Sequence, residues 1–152
     1  MAVEIERKYL VTGDGWKSAS CKYYSQAYLN LHKDRTVRVR IAEDNAFLTI
    51  KSFLSDTNRL EFEYPIPVED ARQMMEICEQ SPVEKNRYVI PMGGLQWEVD
   101  EFLGANVGLV VAEIELNSAD QVFEKPEWIG EEVTDQPKYL NSHLAKLPFS
   151  KW

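Results

Sequence analysis

Glu4, Glu6 and Lys8 stand two residues apart in Val3-Glu4-Ile5-Glu6-Arg7-Lys8. On an extended strand alternate side chains point to one face, so these three would share a side. The pattern recurs along the chain. Arg38 and Arg40 alternate with Val37, Val39 and Ile41, and Thr49 and Lys51 with Leu48 and Ile50. Arg59, Glu61 and Glu63 alternate with Leu60, Phe62 and Tyr64. Lys85 and Arg87 form a basic pair, Glu98 and Asp100 an acidic one, and Glu113 and Glu115 flank Ile114. Any one of these strands reads as ordinary amphipathic sheet with a wet face. Taken together their signs are segregated, although like charges facing each other are mildly destabilising. Residues i and i+2 lie roughly 6.5–7 Å apart, close enough for that repulsion to matter. Carboxylate clusters suit hard divalent cations such as Mg²⁺ or Mn²⁺, which prefer oxygen ligands. Basic clusters suit phosphate or another polyanion. Both on one surface suit a metal-bound polyphosphate.

The elements that must carry these residues are mostly strands. Alternation and turn residues predict strands near 3–11, 23–31, 35–42, 45–52, 58–66, 83–91, 95–103 and 109–117. Glu43-Asp44-Asn45 and Met92-Gly93-Gly94 read as hairpin turns. A short helix is expected around Trp16. A second covers 69–80, with Ala71, Met74, Met75 and Cys78 on one face and Ser81-Pro82 ending it. A third starts at Ser118, with Gln121 completing a capping box, and stops before Pro126. A fourth spans about 138–147 on a Leu140, Leu144, Leu147 stripe, capped by Thr134 or Asp135. The acidic tract 127–135 reads as a solvated connector. The class is α+β. About eight antiparallel strands can close into a barrel that holds one small ligand. The charges would line its lumen, while Ile5, Val37, Val39, Ile50, Phe62 and Ile114 would face outward under the helices.

Composition narrows the function. The 152 residues suit a single domain spanning 1–152, and 44% hydrophobic with 28% charged residues supports a buried core. Acids outnumber bases 25 to 17, for a net charge of −8, which argues against nucleic-acid or anionic-membrane partners. The charged strand faces hold eight acids and seven bases, so the remaining surface is acidic and the bases are concentrated. No apolar run approaches a membrane span and the N-terminus lacks a signal-like apolar region, so a cytoplasmic location is expected. Cys21 and Cys78 are too few and too far apart for a disulfide framework or thiolate zinc site and read as packing residues. His32 and His143 lack partners at metal-ligand spacing, and His143 reads as a helix-surface residue. No phosphate-binding loop is present, because Gly13-Asp14-Gly15 and Gly93-Gly94 lack the spacing and the following Lys-Ser/Thr.

Glu4-Ile5-Glu6-Arg7-Lys8 resembles the ExExK signature of the CYTH superfamily, the triphosphate tunnel metalloenzymes. The resemblance extends through Val37–Arg40, Thr49–Lys51, Arg59–Glu63, Lys85–Arg87, Asp100, Glu113–Glu115 and Tyr139-Leu140-Asn141, which is nearly the whole chain. It implies a closed eight-stranded antiparallel tunnel, Mg²⁺ or Mn²⁺ dependence and a substrate bearing a linear triphosphate. By position, Glu4 and Glu6 would hold one metal ion, and Asp100, Glu113 and Glu115 a second or a shared one. Lys8, Arg38, Arg40, Lys51, Arg59, Lys85 and Arg87 would cradle the triphosphate. Lys138 stands where the family carries an arginine, and would add a cation without its bidentate fork. Tyr28 stands where some members pair a tyrosine with a lysine, here Lys51, for catalysis. Lys51 or Lys85 could act as base only with a lowered pKa. Glu61 and Glu63 would orient their basic neighbours. The leading expectation is hydrolysis of inorganic triphosphate to phosphate and pyrophosphate. The alternatives are a class IV-type adenylate cyclase, a thiamine or nucleoside triphosphatase, or a non-catalytic polyphosphate- or nucleotide-binding module. Some members of the family are homodimers, so a homodimer is a further expectation.

Overall fold

A computed structural model describes residues 3–18 and 20–152. Among the described residues, nine strands form one sheet: β1 (Val3–Val11), β2 (Cys21–Asn30), β3 (Thr36–Ala42), β4 (Asn45–Phe53), β5 (Asn58–Ile66), β6 (Val83–Met92), β7 (Leu95–Phe102), β8 (Val110–Leu116) and β9 (Ile129–Glu132). The two α-helices are α1 (Val68–Glu76) and α2 (Asn141–Lys146). Strand order is β5-β4-β3-β2-β6-β7-β8-β1-β9, with β5 also paired to β1. That pairing closes eight antiparallel strands into a barrel, as expected. The seam is short, running over Val3↔Leu60, Glu4↔Arg59 and Ile5↔Asn58. Beyond it β9 takes over the same edge of β1, through Tyr9↔Glu132 and Val11↔Ile129.

Two-residue loops set the registers that put the charges inside. Met92 pairs with Leu95 across Gly93 and Gly94, whose φ angles are 60° and 81°. A hairpin turn with both central residues at positive φ matches the twist of its strands, and glycine adopts it without strain. Ala42 pairs with Asn45 across Glu43 and Asp44, and Glu43 takes φ 53°. A one-residue slip at either turn would send the lumen charges outward.

The apolar faces pack in three places. Ala71 of α1, with Met74, Met75 and Cys78, sits on Ala27, Val39 and Ala46 of the outer wall. Tyr9, Trp16, Trp97, Val99 and Ile114 form a second cluster, on which Phe123 and Trp128 pack. Val83, Phe102, Val111, Val133, Tyr139 and Leu144 form a third, beneath α2. Val39 and Ile114 are therefore covered as expected. Ile50 and Phe62 remain exposed, because these clusters cover only part of the barrel wall.

Several expected elements differ. α1 ends at Glu76, four residues early, where Ile77 and Cys78 bond back to Met74 and Met75 in tighter i−3 turns. No helix follows Ser118. Gln121 does reach back, but its Oε1 accepts from the Asn117 amide and Ser118 bonds Asp120, so these side chains stabilise a turn. The tract read as a connector contributes β9, which the main-chain partners offered by β1 recruit. The C-terminal helix is split into a 3₁₀ turn at Pro137–Tyr139 and the six-residue α2. Thr134 caps neither. Its hydroxyl accepts from the Lys8 amide and donates to Glu132, fastening β9 to β1.

Candidate active site

The barrel encloses a cavity of about 660 Å³. Among the described residues, seven glutamates and nine lysines or arginines line it. Of the expected site residues, Glu4, Glu6, Lys8, Tyr28, Arg38, Arg40, Lys51, Arg59, Glu61, Glu63, Lys85, Arg87, Glu113 and Glu115 all reach this lining. They come from seven strands and from distant parts of the chain, and the alternation of each strand aims them inward.

Most of the charges are paired across strands. Lys8 Nζ donates to Glu113 at 2.8 Å. Lys51 Nζ donates to Glu4 at 3.2 Å and lies 3.9 Å from Glu61. Arg38 donates to Thr49 at 3.1 Å and lies 3.7 Å from Glu63, which accepts from the Thr49 hydroxyl. Arg87 reaches Glu98 at 3.2 Å. Among the described residues, Glu6 has no ion-pair partner. Arg38 Nε is buried without a hydrogen-bond partner.

Electrostatics follow from this pairing. Burial, and then the Glu113 charge, push Glu6 up to about 7. Glu4, Glu98 and Glu115 are also raised, burial being the first cause in each. Burial works against ionised Glu113 too, but Lys8, Arg87 and Lys85 outweigh it and hold Glu113 well below the usual range. Burial likewise disfavours charged Lys51, yet Glu6 and Glu4 prevail and raise it. Arg40 is lowered by burial and by Arg38 and Arg87, a crowd of cations that a bound anion would relieve.

Three expected residues stand elsewhere. Asp100, expected as a metal ligand, lies behind the lining and is almost fully buried. Its Oδ1 accepts from Arg87 at 2.8 Å, and its Oδ2 from Lys85 at 2.7 Å and Arg87 at 2.9 Å. These cations outweigh the effect of burial and depress its pKa. Its oxygens hold lysine and arginine instead of facing the chamber. Lys138 lies outside the lining, 4.5 Å from the Trp152 ring centroid and 5.2 Å from that of Tyr139, so it is not a phosphate ligand in this arrangement. His143, read as a surface residue, lines the chamber with Nδ1 buried and unpartnered.

Asn141, Gln26 and Thr49 escaped selection as site residues because they are uncharged. Their only trace was position, two of them on lumen faces and one in the Tyr139-Leu140-Asn141 stretch. Glu98 carried the alternation signal and joins the lining.

Known proteins share this architecture. Residues 2–147 match the CYTH domain family. The chain belongs to the CYTH family. An inorganic triphosphatase of Acetivibrio thermocellus is 49% identical over 154 residues, covering 100% of this chain and 99% of that protein. An inorganic triphosphatase of Nitrosomonas europaea is 36% identical over 147 residues, covering 93% and 96%. A solved inorganic triphosphatase structure superposes with a TM-score of 0.66 at 34% identity, over 95% of both chains. A putative adenylate cyclase from Bacillus halodurans shares the fold alone, with a TM-score of 0.57 at 16% identity, over 79% of this chain and 84% of that one. In this CYTH domain no described helix is long and apolar enough to cross a membrane.

Proposed function

We propose that the chain hydrolyses inorganic triphosphate to phosphate and pyrophosphate inside the charged barrel, with Mg²⁺ or Mn²⁺ bound. The observation that carries this reading is one chamber lined by both kinds of group, nine cations for the phosphate oxygens and seven carboxylates for a metal. Similarity over the full length to inorganic triphosphatases supports it. Charge arithmetic supports the metal. Nine lysines and arginines against seven glutamates leave a formal excess of two. A triphosphate carries about four to five negative charges near neutrality, so the protein alone under-neutralises it.

The donor set suits a hard divalent cation, since Glu4, Glu6, Glu113 and Glu115 offer carboxylate oxygens, and Glu6 and Glu115 form no ion pair among the described residues. Among the described residues, no group of three or more acidic, histidine or cysteine side chains is poised to hold an ion as it stands. The reason is the internal pairing, because Lys51 holds Glu4 and Lys8 holds Glu113. A triphosphate would draw these lysines onto its oxygens and free the carboxylates for the cation. The bound cation would neutralise phosphate charge and lower the pKa of a water.

The chain's own residues do the rest. Arg38, Arg40, Arg59 and Arg87 orient the triphosphate and stabilise charge spreading over the transferred phosphoryl group. Lys51, raised by Glu6 and Glu4, enters as an ammonium and donates to the leaving pyrophosphate oxygen. Burial, opposed by Asp100 and aided by Arg87 and Arg40, lowers Lys85, but its ammonium already donates to Asp100 and Asn141, which keeps it a positioning cation. Tyr28, buried in the lining, stands ready to donate beside Arg40. Glu61 and Glu63 orient Lys51 and Arg38.

The inorganic substrate is favoured by the crowding of cations on the chamber's aromatic rings. Two lining aromatics already carry cations: Arg40 and Arg87 lie over the Tyr24 ring, and Lys33 and Arg59 over the Phe53 ring. The test is phosphate release from inorganic triphosphate, ATP and thiamine triphosphate, with Mg²⁺, Mn²⁺ or chelator, beside a Glu6→Gln control. Fast metal-dependent release from inorganic triphosphate, lost in the variant, is expected. Preferential turnover of an organic triphosphate, or none at all, overturns the reading.

A further inference from the structure

A chain of buried hydrogen bonds joins four strands to α2. Arg87 and Lys85 both donate to Asp100, as described above. Lys85 Nζ also donates to Asn141 Oδ1 at 3.0 Å. Gln26 Nε2 donates to the same Asn141 oxygen at 2.8 Å, and Gln26 Oε1 accepts from Arg40 Nε at 2.8 Å. Lys85 and Gln26 are both 0% exposed. Ammonium and guanidinium groups only donate. Asn141 must therefore turn its oxygen to Lys85, and Gln26 its oxygen to Arg40. The amide of Gln26 then faces Asn141, and every link is satisfied in this one arrangement.

Asn141 is the only member of this chain outside the barrel wall, being the first residue of α2. We propose that Asn141 is a positioning residue of the triphosphate site, aiming Lys85 directly and Arg40 through Gln26. The inference rests on the triphosphate reading above. Its logic is charge economy. Arg38, Arg40, Lys85 and Arg87 crowd together, and repulsion would splay them unless something held them. Asp100 holds Lys85 and Arg87 at the cost of one positive charge. Asn141 and Gln26 hold Lys85 and Arg40 with neutral amides, so the positive charge stays available to the anion. An aspartate at 141 would anchor Lys85 more strongly but would oppose the substrate.

The test is calorimetric titration of inorganic triphosphate, with chelator present, into the wild-type chain and into Asn141→Leu, Asn141→Asp, Gln26→Leu and the double leucine variant, with Tm recorded for each. Asn141→Leu should weaken binding about tenfold or more, the scale of a hydrogen bond to a charged group. Asn141→Asp should also weaken binding although its Tm does not fall below that of the wild type. The double variant should bind no more weakly than the worse single one, as for residues acting in one chain. The inference is overturned if Asn141→Asp binds as tightly as the wild type, or if the two leucine effects simply add. Should Asn141→Leu fail to fold, the Asn141→Asp comparison decides alone. A wild-type chain that binds triphosphate without hydrolysing it when metal is added overturns the triphosphatase reading only, and one that binds none overturns both.

Discussion

Glu6 and Glu115 line the chamber without an ion pair among the described residues, and burial of Glu6 makes its ionised form costly. Its folded pKa of about 7 lies above the ordinary 4.5. Between those values the folded chain binds a proton that the unfolded chain has released. Stability from this group is therefore fully present below about pH 4.5 and is lost as pH rises through 7, at up to about 1.4 kcal/mol per unit. Glu4, Glu98 and Glu115 are raised as well and act in the same direction. Asp100 and Glu113 are depressed and lose their contributions only below the ordinary carboxylate range, outside this window. The metal-free protein should melt higher at pH 6 than at pH 7.5, and Glu6→Gln should shrink that difference while abolishing metal-dependent turnover. Thermal melts at both pH values check this. Asp100 shows the opposite behaviour. Asp100→Asn leaves Lys85 and Arg87 buried without their anion, so denaturant unfolding should show a loss of about 3 kcal/mol or more. A metal ligand replaced the same way would lose metal affinity and keep its stability.

Strands β1 to β8 were largely legible in the sequence because their alternation is strict and their turns carry recognisable residues. At the β6–β7 turn, Gly94 sits at φ 81° with nothing within 4 Å of an added Cβ. Gly94→Ala should therefore destabilise by about 1–2 kcal/mol through backbone strain alone, read by chemical denaturation, with KM for triphosphate unchanged. β9 was not legible. Its four residues, Ile129-Gly130-Glu131-Glu132, show no useful period, and they become a strand because β1 has an unfilled edge beyond its short pairing with β5. The Arg7 guanidinium then clasps Glu132, its Nε donating at 2.8 Å. The helix expected after Ser118 failed for the converse reason, since side-chain bonds to nearby backbone offered a local alternative to helical pairing.

At the level of the whole barrel, many of the chamber's charges are paired with one another. Lysines that would bind phosphate are held by the glutamates that would bind metal. On the proposed function, either ligand alone would strand the partner of whatever it takes, whereas both together would satisfy the lysines and the glutamates they now hold. Metal and triphosphate should therefore bind with positive coupling, reciprocal in both directions. Titrations with Ca²⁺ in place of Mg²⁺ should show triphosphate binding at least about tenfold tighter with the cation than without, about 1.4 kcal/mol of coupling. Equal affinities would contradict the exchange. Salt should weaken the Arg38–Glu63 pair, whose carboxylate is the more exposed, more than the buried Lys8–Glu113 pair.

The residue types and their period-two spacing were enough to determine the barrel, the inward charges and the family. Those properties are written locally, because a strand's alternation and a turn's glycine depend on neighbours in sequence. Which acid meets which base was decided only by the tertiary structure. Asp100 and Glu113 carry the same charge and the same alternation signal, yet one is locked behind Lys85 and Arg87 and the other faces the chamber. Asn141 carries no charge at all and was singled out only when α2 laid it against Lys85 and Gln26. Such roles depend on cross-strand register and on a C-terminal segment returning over 100 residues to β2, and no window of sequence contains both partners.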